Sequence, residues 1–377
     1  MWKKRLCFAA AAALLGLTMC TTAHAVNAKG AVVIEAQSGR VLFGQNEHER
    51  LAMASTTKIM TAMLTLEQEG LDEEFTVDPQ AIRVEGSSMG LTEGDIVTLR
   101  TLAAGMLLAS GNDAANAAAV RIAGSQDAFV QRMNERAAEL GLKDTSFETP
   151  SGLDGDDHYS TAYDMAMLAR AALGNPEFAE ICGQYRMTLS YGNPPYKRWL
   201  KNHNRLLQDY DGTIGVKTGF TKSAGRCLVS AAQRDGVTLI CVTLSCPDDW
   251  RTHAQLLDSG FAQVQAVDLA GLLPELALPV GGGLADSVAV LPAADARVAL
   301  AAGERERVKA EVTLRPFALA PVRAGECVGE ARFTLDGEEL LRLPLCTRNG
   351  VAARPVSEKK TGFWSGLWGR LFGKEAG

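Results

Sequence analysis

Strand-like runs stand at both ends of residues 26–265, and helix-period runs fill the interval between them. Residues 31–36 (AVVIEA) and 41–43 flank Gln37-Ser38-Gly39-Arg40 and read as a β-hairpin. A helix is expected from Ser55 through Ile59, Met60, Met63, Leu64 and Leu66, ending by Gly70. Thr98 is placed to cap a second helix through Leu99, Leu102, Met106 and Leu107 that stops near Ser110-Gly111. Residues 113–123 and 161–173 read as two more helices. Strands then return at 213–216, 226–233 and 237–245, the last two joined by the turn signal Arg234-Asp235-Gly236, before a helix near 255–264. Strands this far apart, bracketing helices, imply an α/β sandwich with a central antiparallel sheet over residues 26–265.

From about residue 266 the pattern changes. Leu-Pro and Gly-rich breaks separate short apolar runs at 288–291, 308–314, 331–335 and 340–345, the signature of a small all-β domain over residues 266–355. A chain of 377 residues accommodates this second domain. Residues 1–25 read as a secretory signal peptide: Lys3, Lys4 and Arg5, then an apolar run over 6–19, then Ala23-His24-Ala25. The apolar run is shorter than the roughly 20 residues of a membrane span. Cys20 follows the bulky Met19, which argues against lipidation. Cleavage after Ala25 would take the formal net charge from −6 to about −9, a poor balance for a nucleic-acid binder. It would leave Cys182, Cys227, Cys241, Cys246, Cys327 and Cys346, among which no C-x-x-C pair suggests zinc. Export would permit disulfides, yet Cys227 and Cys241 lie in apolar runs that suit buried thiols. No histidine falls in a metal-binding spacing, so neither a metal nor another cofactor is expected.

Three short motifs carry chemistry: Ser55-Thr56-Thr57-Lys58, Ser110-Gly111-Asn112 and Lys217-Thr218-Gly219. Each alone has a bland reading, as a helix N-terminus, a helix C-terminal turn and a strand end respectively. In this order they match S-x-x-K, S-x-N and K-T-G of penicillin-recognising serine enzymes. Ser55 and Lys58 share a helix face at a spacing of three residues. A serine hydroxyl is a weak nucleophile until a neighbour takes its proton. Lysine can do this once desolvation and a second cation, for which Lys217 is the candidate, lower its pKa. The helix start leaves the Ser55 N–H free to form half of an oxyanion hole. Ser110 would relay a proton to the leaving amine, and the Asn112 carboxamide would hold a substrate amide. Lys217 and Thr218 would bind a substrate carboxylate, and Gly219 would let the substrate lie along the strand edge.

The segments MASTTKIMTAML, GSSMGLTEGD, LLASGNDAANAAA, HYSTAYDMA and GVKTGFTKSAGRCLVSAA resemble the low-molecular-mass penicillin-binding proteins, the serine D-alanyl-D-alanine carboxypeptidases of peptidase family S11. The resemblance covers residues 30–261 and implies a penicillin-binding/β-lactamase-like sandwich. Residues 266–355 resemble the family's C-terminal β-domain. The resemblance implies acylation of Ser55, proton transfer by Lys58, a site completed by Ser110 and Asn112, carboxylate binding by Lys217 and Thr218, and a second oxyanion donor at the Phe220 N–H. The implied partners are the D-Ala-D-Ala stem peptide of peptidoglycan and covalently bound β-lactams. Some relatives carry an arginine where His203 stands, so His203 is either a substrate contact or a bystander. Arg251 is a candidate second carboxylate contact. His158 and Asp164 are read as structural. Two other readings stay open: a serine β-lactamase, and a catalytically silent wall-binding protein.

Residues 356–377 form a linker and a tail in which Phe363, Trp364, Leu367, Trp368, Leu371 and Phe372 fall on one helical face, with Lys359, Lys360, Arg370 and Lys374 nearby. This pattern suits an amphipathic helix lying in a membrane surface. Together with the signal peptide it places the protein at the outer face of the cytoplasmic membrane.

Overall fold

The computed structural model describes residues 25–355. The signal-peptide reading and the amphipathic tail lie outside the described residues. The chain divides into two compact units near residue 263, with the turn 235–237 grouped with the second.

The first unit begins with the expected hairpin, β1 (Gly30–Glu35) and β2 (Val41–Gln45). A 3-10 turn (Ala54–Thr57) then runs into α1 (Lys58–Leu66). The helix therefore starts three residues later than expected, and Ser55 sits in the tighter turn. Every residue of α1 is buried, so it forms the hub against which α2 (Leu99–Leu108) and α3 (Asn112–Ala123) pack. Between α1 and α2 lies a short pair, β3 (Phe75–Thr76) and β4 (Ile96–Val97). Caps fix the helix starts: Thr98 accepts from Thr101 N for α2, and Ser125 from Ala128 N for α4 (Gln126–Glu139). Thr161 does the same for α5 (Ala162–Leu173), and Asn175 with Pro176 at the first turn for α6 (Pro176–Cys182). A hairpin, β5 (Arg186–Gly192) and β6 (Pro195–Lys201), and a short α7 (Leu206–Asp209) follow. The unit closes with β7 (Thr213–Thr221), β8 (Gly225–Arg234), β9 (Val237–Leu244) and α8 (Asp249–Gln263).

The five-stranded sheet has the order β2-β1-β9-β8-β7. Register Gly30↔Leu244 through Glu35↔Leu239 joins the two ends of the unit directly, as the sandwich reading requires. β7 is an edge strand, and Lys217-Thr218-Gly219 lies inside it rather than at its end.

The second unit holds β10 (Gln265–Asp268), β11 (Leu276–Gly281), β12 (Ser287–Pro292), β13 (Arg297–Leu300), β14 (Val308–Leu314), β15 (Ala318–Leu319), β16 (Cys327–Leu335) and β17 (Glu338–Thr347). Six of these form a sheet in the order β14-β16-β17-β12-β11-β15, and β10 pairs with β13. Its core gathers Leu278, Val290, Leu300, Phe333 and Leu345, the inward positions of alternating strands. A disulfide links Cys327 on β16 to Cys346 on β17, while Cys182, Cys227, Cys241 and Cys246 are free and buried.

Candidate active site

The turn before α1 sets the Ser55 hydroxyl 3.0 Å from Lys58 Nζ. Lys58 is wholly buried. Its Nζ also donates to Asn112 Oδ1 at 2.7 Å and to the Ser151 carbonyl at 2.5 Å. Those two oxygens can only accept. A neutral amine with two N–H bonds satisfies them both, and its lone pair then faces the one partner able to donate, Ser55. Burial is the main cause that holds the Lys58 pKa well below the ordinary lysine value; Lys217 adds to it and Asp113 opposes it. The amine is thus poised to accept a proton.

Strand β7 supplies the opposite wall. Lys217 is 1% exposed; its Nζ donates to Ser110 Oγ at 3.1 Å and to the Thr218 carbonyl at 2.7 Å. Burial pushes its pKa down to about 7. Ser110 sits at φ 57°, a left-handed conformation uncommon for serine, at the link between α2 and α3. Gly219 presses on the nucleophile turn: a Cβ there would lie 3.1 Å from the Ser55 and Thr56 nitrogens. The three motifs are therefore assembled around one point.

Much of the support carries no motif. The Glu148 N–H donates to His158 Nδ1 at 2.9 Å, so the ring proton is on Nε2, which donates to Thr57 Oγ1 at 2.8 Å; Thr57 in turn donates to the Ala54 carbonyl. Burial lowers the His158 pKa to about 4, against Asp154 and helped by Lys58, so the ring is neutral. The structural reading of His158 agrees with this arrangement. The Asp113 carboxylate accepts from Ser88 Oγ and from the backbone N–H groups of Met89, Gly90 and Leu91, which pins the 85–91 loop. That loop supplies the Glu85 carbonyl to Asn112 Nδ2 at 2.7 Å. Asn202 and Asn204 are buried; Asn204 Nδ2 donates to the Gly215 carbonyl on β7. Aspartate after S-x-N and asparagine on either side of His203 are the sequence signals that point to these roles.

Ser55, Ser87, Ser110, His203, Thr218, Gly219, Phe220, Arg226, Asp249 and Trp250 line a single open cavity of about 270 Å³. His203 thus faces the site. Arg251 does not line it: the side chain is 73% exposed and reaches Asp248 at 4.0 Å. Asp164 caps the 144–145 turn, accepting from Asp144 N and Thr145 Oγ1. Among the described residues no group of three or more His, Cys, Asp or Glu side chains is placed to hold a metal.

Residues 18–248 match the family described as D-alanyl-D-alanine carboxypeptidase, and residues 276–353 match the C-terminal domain of penicillin-binding protein 5. The chain is 35% identical over 353 residues to the D-alanyl-D-alanine carboxypeptidase DacF of Bacillus subtilis, covering 91% of this chain and 89% of that one. It is 32% identical over 366 residues to DacC of Escherichia coli, covering 92% and 88%. The solved penicillin-binding protein 5 of Haemophilus influenzae superposes with a TM-score of 0.65 at 30% identity, covering 87% and 98%.

Proposed function

The chain belongs to the D-alanyl-D-alanine carboxypeptidase family, and from that premise we propose that it removes the terminal D-Ala from peptidoglycan stem peptides through an acyl-enzyme on Ser55. The observation that carries this reading is the wholly buried Lys58 amine, 3.0 Å from the Ser55 hydroxyl and held by Asn112 Oδ1 and the Ser151 carbonyl.

Lys58 takes the Ser55 proton as Oγ attacks the carbonyl carbon of the penultimate D-Ala. The N–H groups of Ser55 and Phe220 receive the oxyanion. The C–N bond breaks, and the proton held by Lys58 passes by way of Ser110 to the departing amine. Water then gives a proton to Lys58, adds to the ester, and Ser55 leaves with its proton restored. Asn112 orients the substrate amide, and Lys217 and Thr218 face its carboxylate. A β-lactam would acylate the same serine, since its strained amide presents the same carbonyl. No step calls on a metal or organic cofactor.

On this reading the enzyme works in the cell envelope, and we propose that it is exported and held peripherally at the outer face of the membrane. The Cys327–Cys346 disulfide supports an oxidising compartment. Among the described residues no helix is long and apolar enough to cross a membrane. The tail at 356–377 would provide the contact, and co-sedimentation with anionic liposomes, full-length against a chain ending at Val356, tests it.

The deciding measurement is D-Ala release from a stem pentapeptide, wild type against Ser55→Ala. Release by the wild type alone is expected. Equal release by both would overturn the assignment of the nucleophile.

A further inference from the structure

A substrate that ends in a carboxylate brings a full negative charge into the cavity, and the cations near it are unequal. Lys58 and Lys217 are buried and already engaged. His203 lines the cavity, but burial first, then Lys217 and Lys201, lower its pKa, so it is neutral at neutral pH. Arg226 is different. Its side chain is 40% exposed, it lines the same cavity as Thr218 and Ser55, and a guanidinium does not lose its charge at working pH.

Its placement follows from the sheet. On β7, Thr218 and Phe220 alternate onto one face, and Phe220 stands opposite Arg226 of β8. Arg226 therefore projects from the second strand on the face that carries Thr218. The guanidinium is also held in place. Nε and Nη2 donate to one oxygen of Asp249, at 3.0 and 2.8 Å, and Asp249 is 2% exposed and further fixed by the Trp250 N–H. The Trp250 ring lies 5.3 Å from the guanidinium carbon. Among the described residues no hydrogen bond uses Nη1, so one end of the fork is clamped and the other is open.

We propose that Arg226, oriented by Asp249 and Trp250, is the fixed cation that binds the substrate's terminal carboxylate, with Thr218 as its hydroxyl partner. This rests on the carboxypeptidase reading and deepens it. The role suggested by sequence for Arg251 passes to a residue 25 positions earlier, because the cavity opens toward β8 and the start of α8 rather than toward the outer face of that helix.

The experiment compares an acyl-D-alanyl-thioglycolate, which carries the carboxylate, with its methyl ester, which does not. The readout is the ratio of the two kcat/KM values. In Arg226→Gln the ratio is expected to fall about 10- to 100-fold, as befits loss of a charge-assisted hydrogen bond, through a raised KM for the acid and no change for the ester. Arg226→Gln combined with Asp249→Asn removes both charges of the pair and should show the same collapse, which guards against a folding defect from an unpaired Asp249. An unchanged ratio in both variants would overturn the proposal. So would an equal loss on acid and ester, which marks a structural role. If the wild type cleaves neither substrate and releases no D-Ala, the carboxypeptidase reading itself fails, and the two failures are thereby distinguished.

Discussion

Lys217 Nζ donates to Ser110 Oγ across 3.1 Å, joining the edge strand to the turn between α2 and α3. The contact places a second buried amine beside Ser110, the hydroxyl proposed to relay the proton. A charged Lys217 favours the neutral state of Lys58, because two ammonium groups in a dry site repel.

Replacing Lys217 by Met should therefore move the pH profile as well as weaken binding. The positive charge of Lys217 is the second cause of the lowered Lys58 pKa, after burial. Without it the Lys58 pKa rises, the neutral fraction at a given pH falls, and the ascending limb of acylation against pH shifts upward. Acylation by a chromogenic β-lactam across a pH series reads this shift directly. An ascending limb at its wild-type pH in Lys217→Met would show that the two amines are not coupled.

Lys58→Met keeps most of the apolar stem and deletes the proton acceptor. General-base catalysis is worth about 10²- to 10⁴-fold, so covalent labelling by fluorescent penicillin should slow by at least about 10²-fold. Asn112 Oδ1 and the Ser151 carbonyl each lose a donor, a cost of about 1–3 kcal/mol that a melting curve would register. Labelling at the wild-type rate would place the base elsewhere.

The parts legible in the sequence are those whose signal is local. The hairpin of β1 and β2, the cap at Thr98, and the pairing of β8 with β9 all follow from short-range periodicity and turn chemistry. Ser55 and Lys58 are one helical turn apart, so their meeting could be read off directly. The carbonyl of Ser151, 93 residues from Lys58, has no sequence signature, since any residue carries a carbonyl. Helix α4 has only Phe129, Met133 and Ala137 buried, too thin an apolar stripe to stand out among its charges. The role proposed for Arg226 has no local sequence signal, because it depends on the cross-strand register with Phe220, which only the folded sheet defines.

The neutral histidines make the protein acid-sensitive. Burial holds the folded-state pKa of His158 at about 4 and that of His253 at about 3, both below the ordinary 6.5. The unfolded chain binds the extra protons first, so stability is full above about pH 6.5 and falls as the pH drops toward 4. The His158 contribution is on the order of 3 kcal/mol. His158→Gln should flatten the Tm-against-pH curve between pH 6.5 and 4 while lowering Tm at pH 7, because Thr57 loses its ring donor. A slope equal to the wild type's in that window would remove His158 from the account.

Gly152 tests whether the 148–158 segment holds the nucleophile turn. Its φ is +80°, and a Cβ there would fall 2.2 Å from the Ala54 carbonyl oxygen and 2.8 Å from Thr57 Oγ1. Neither neighbour is a flexible side-chain end, since Thr57 Oγ1 is tied to both Ala54 and His158. Gly152→Ala must therefore displace the turn that carries Ser55. Gly124, after α3, provides the matched comparison: its φ is +81°, yet nothing lies within 4 Å of its added Cβ. Both substitutions incur the left-handed backbone penalty, roughly 1 kcal/mol. Only the first also collides. Gly124→Ala should lower Tm by a few degrees and leave the acylation rate unchanged, whereas Gly152→Ala should slow acylation by about 10²-fold, since an ångström of misplacement costs about that much. Equal acylation rates in the two variants would mean that the turn is set by α1 alone and that the 148–158 segment merely covers it.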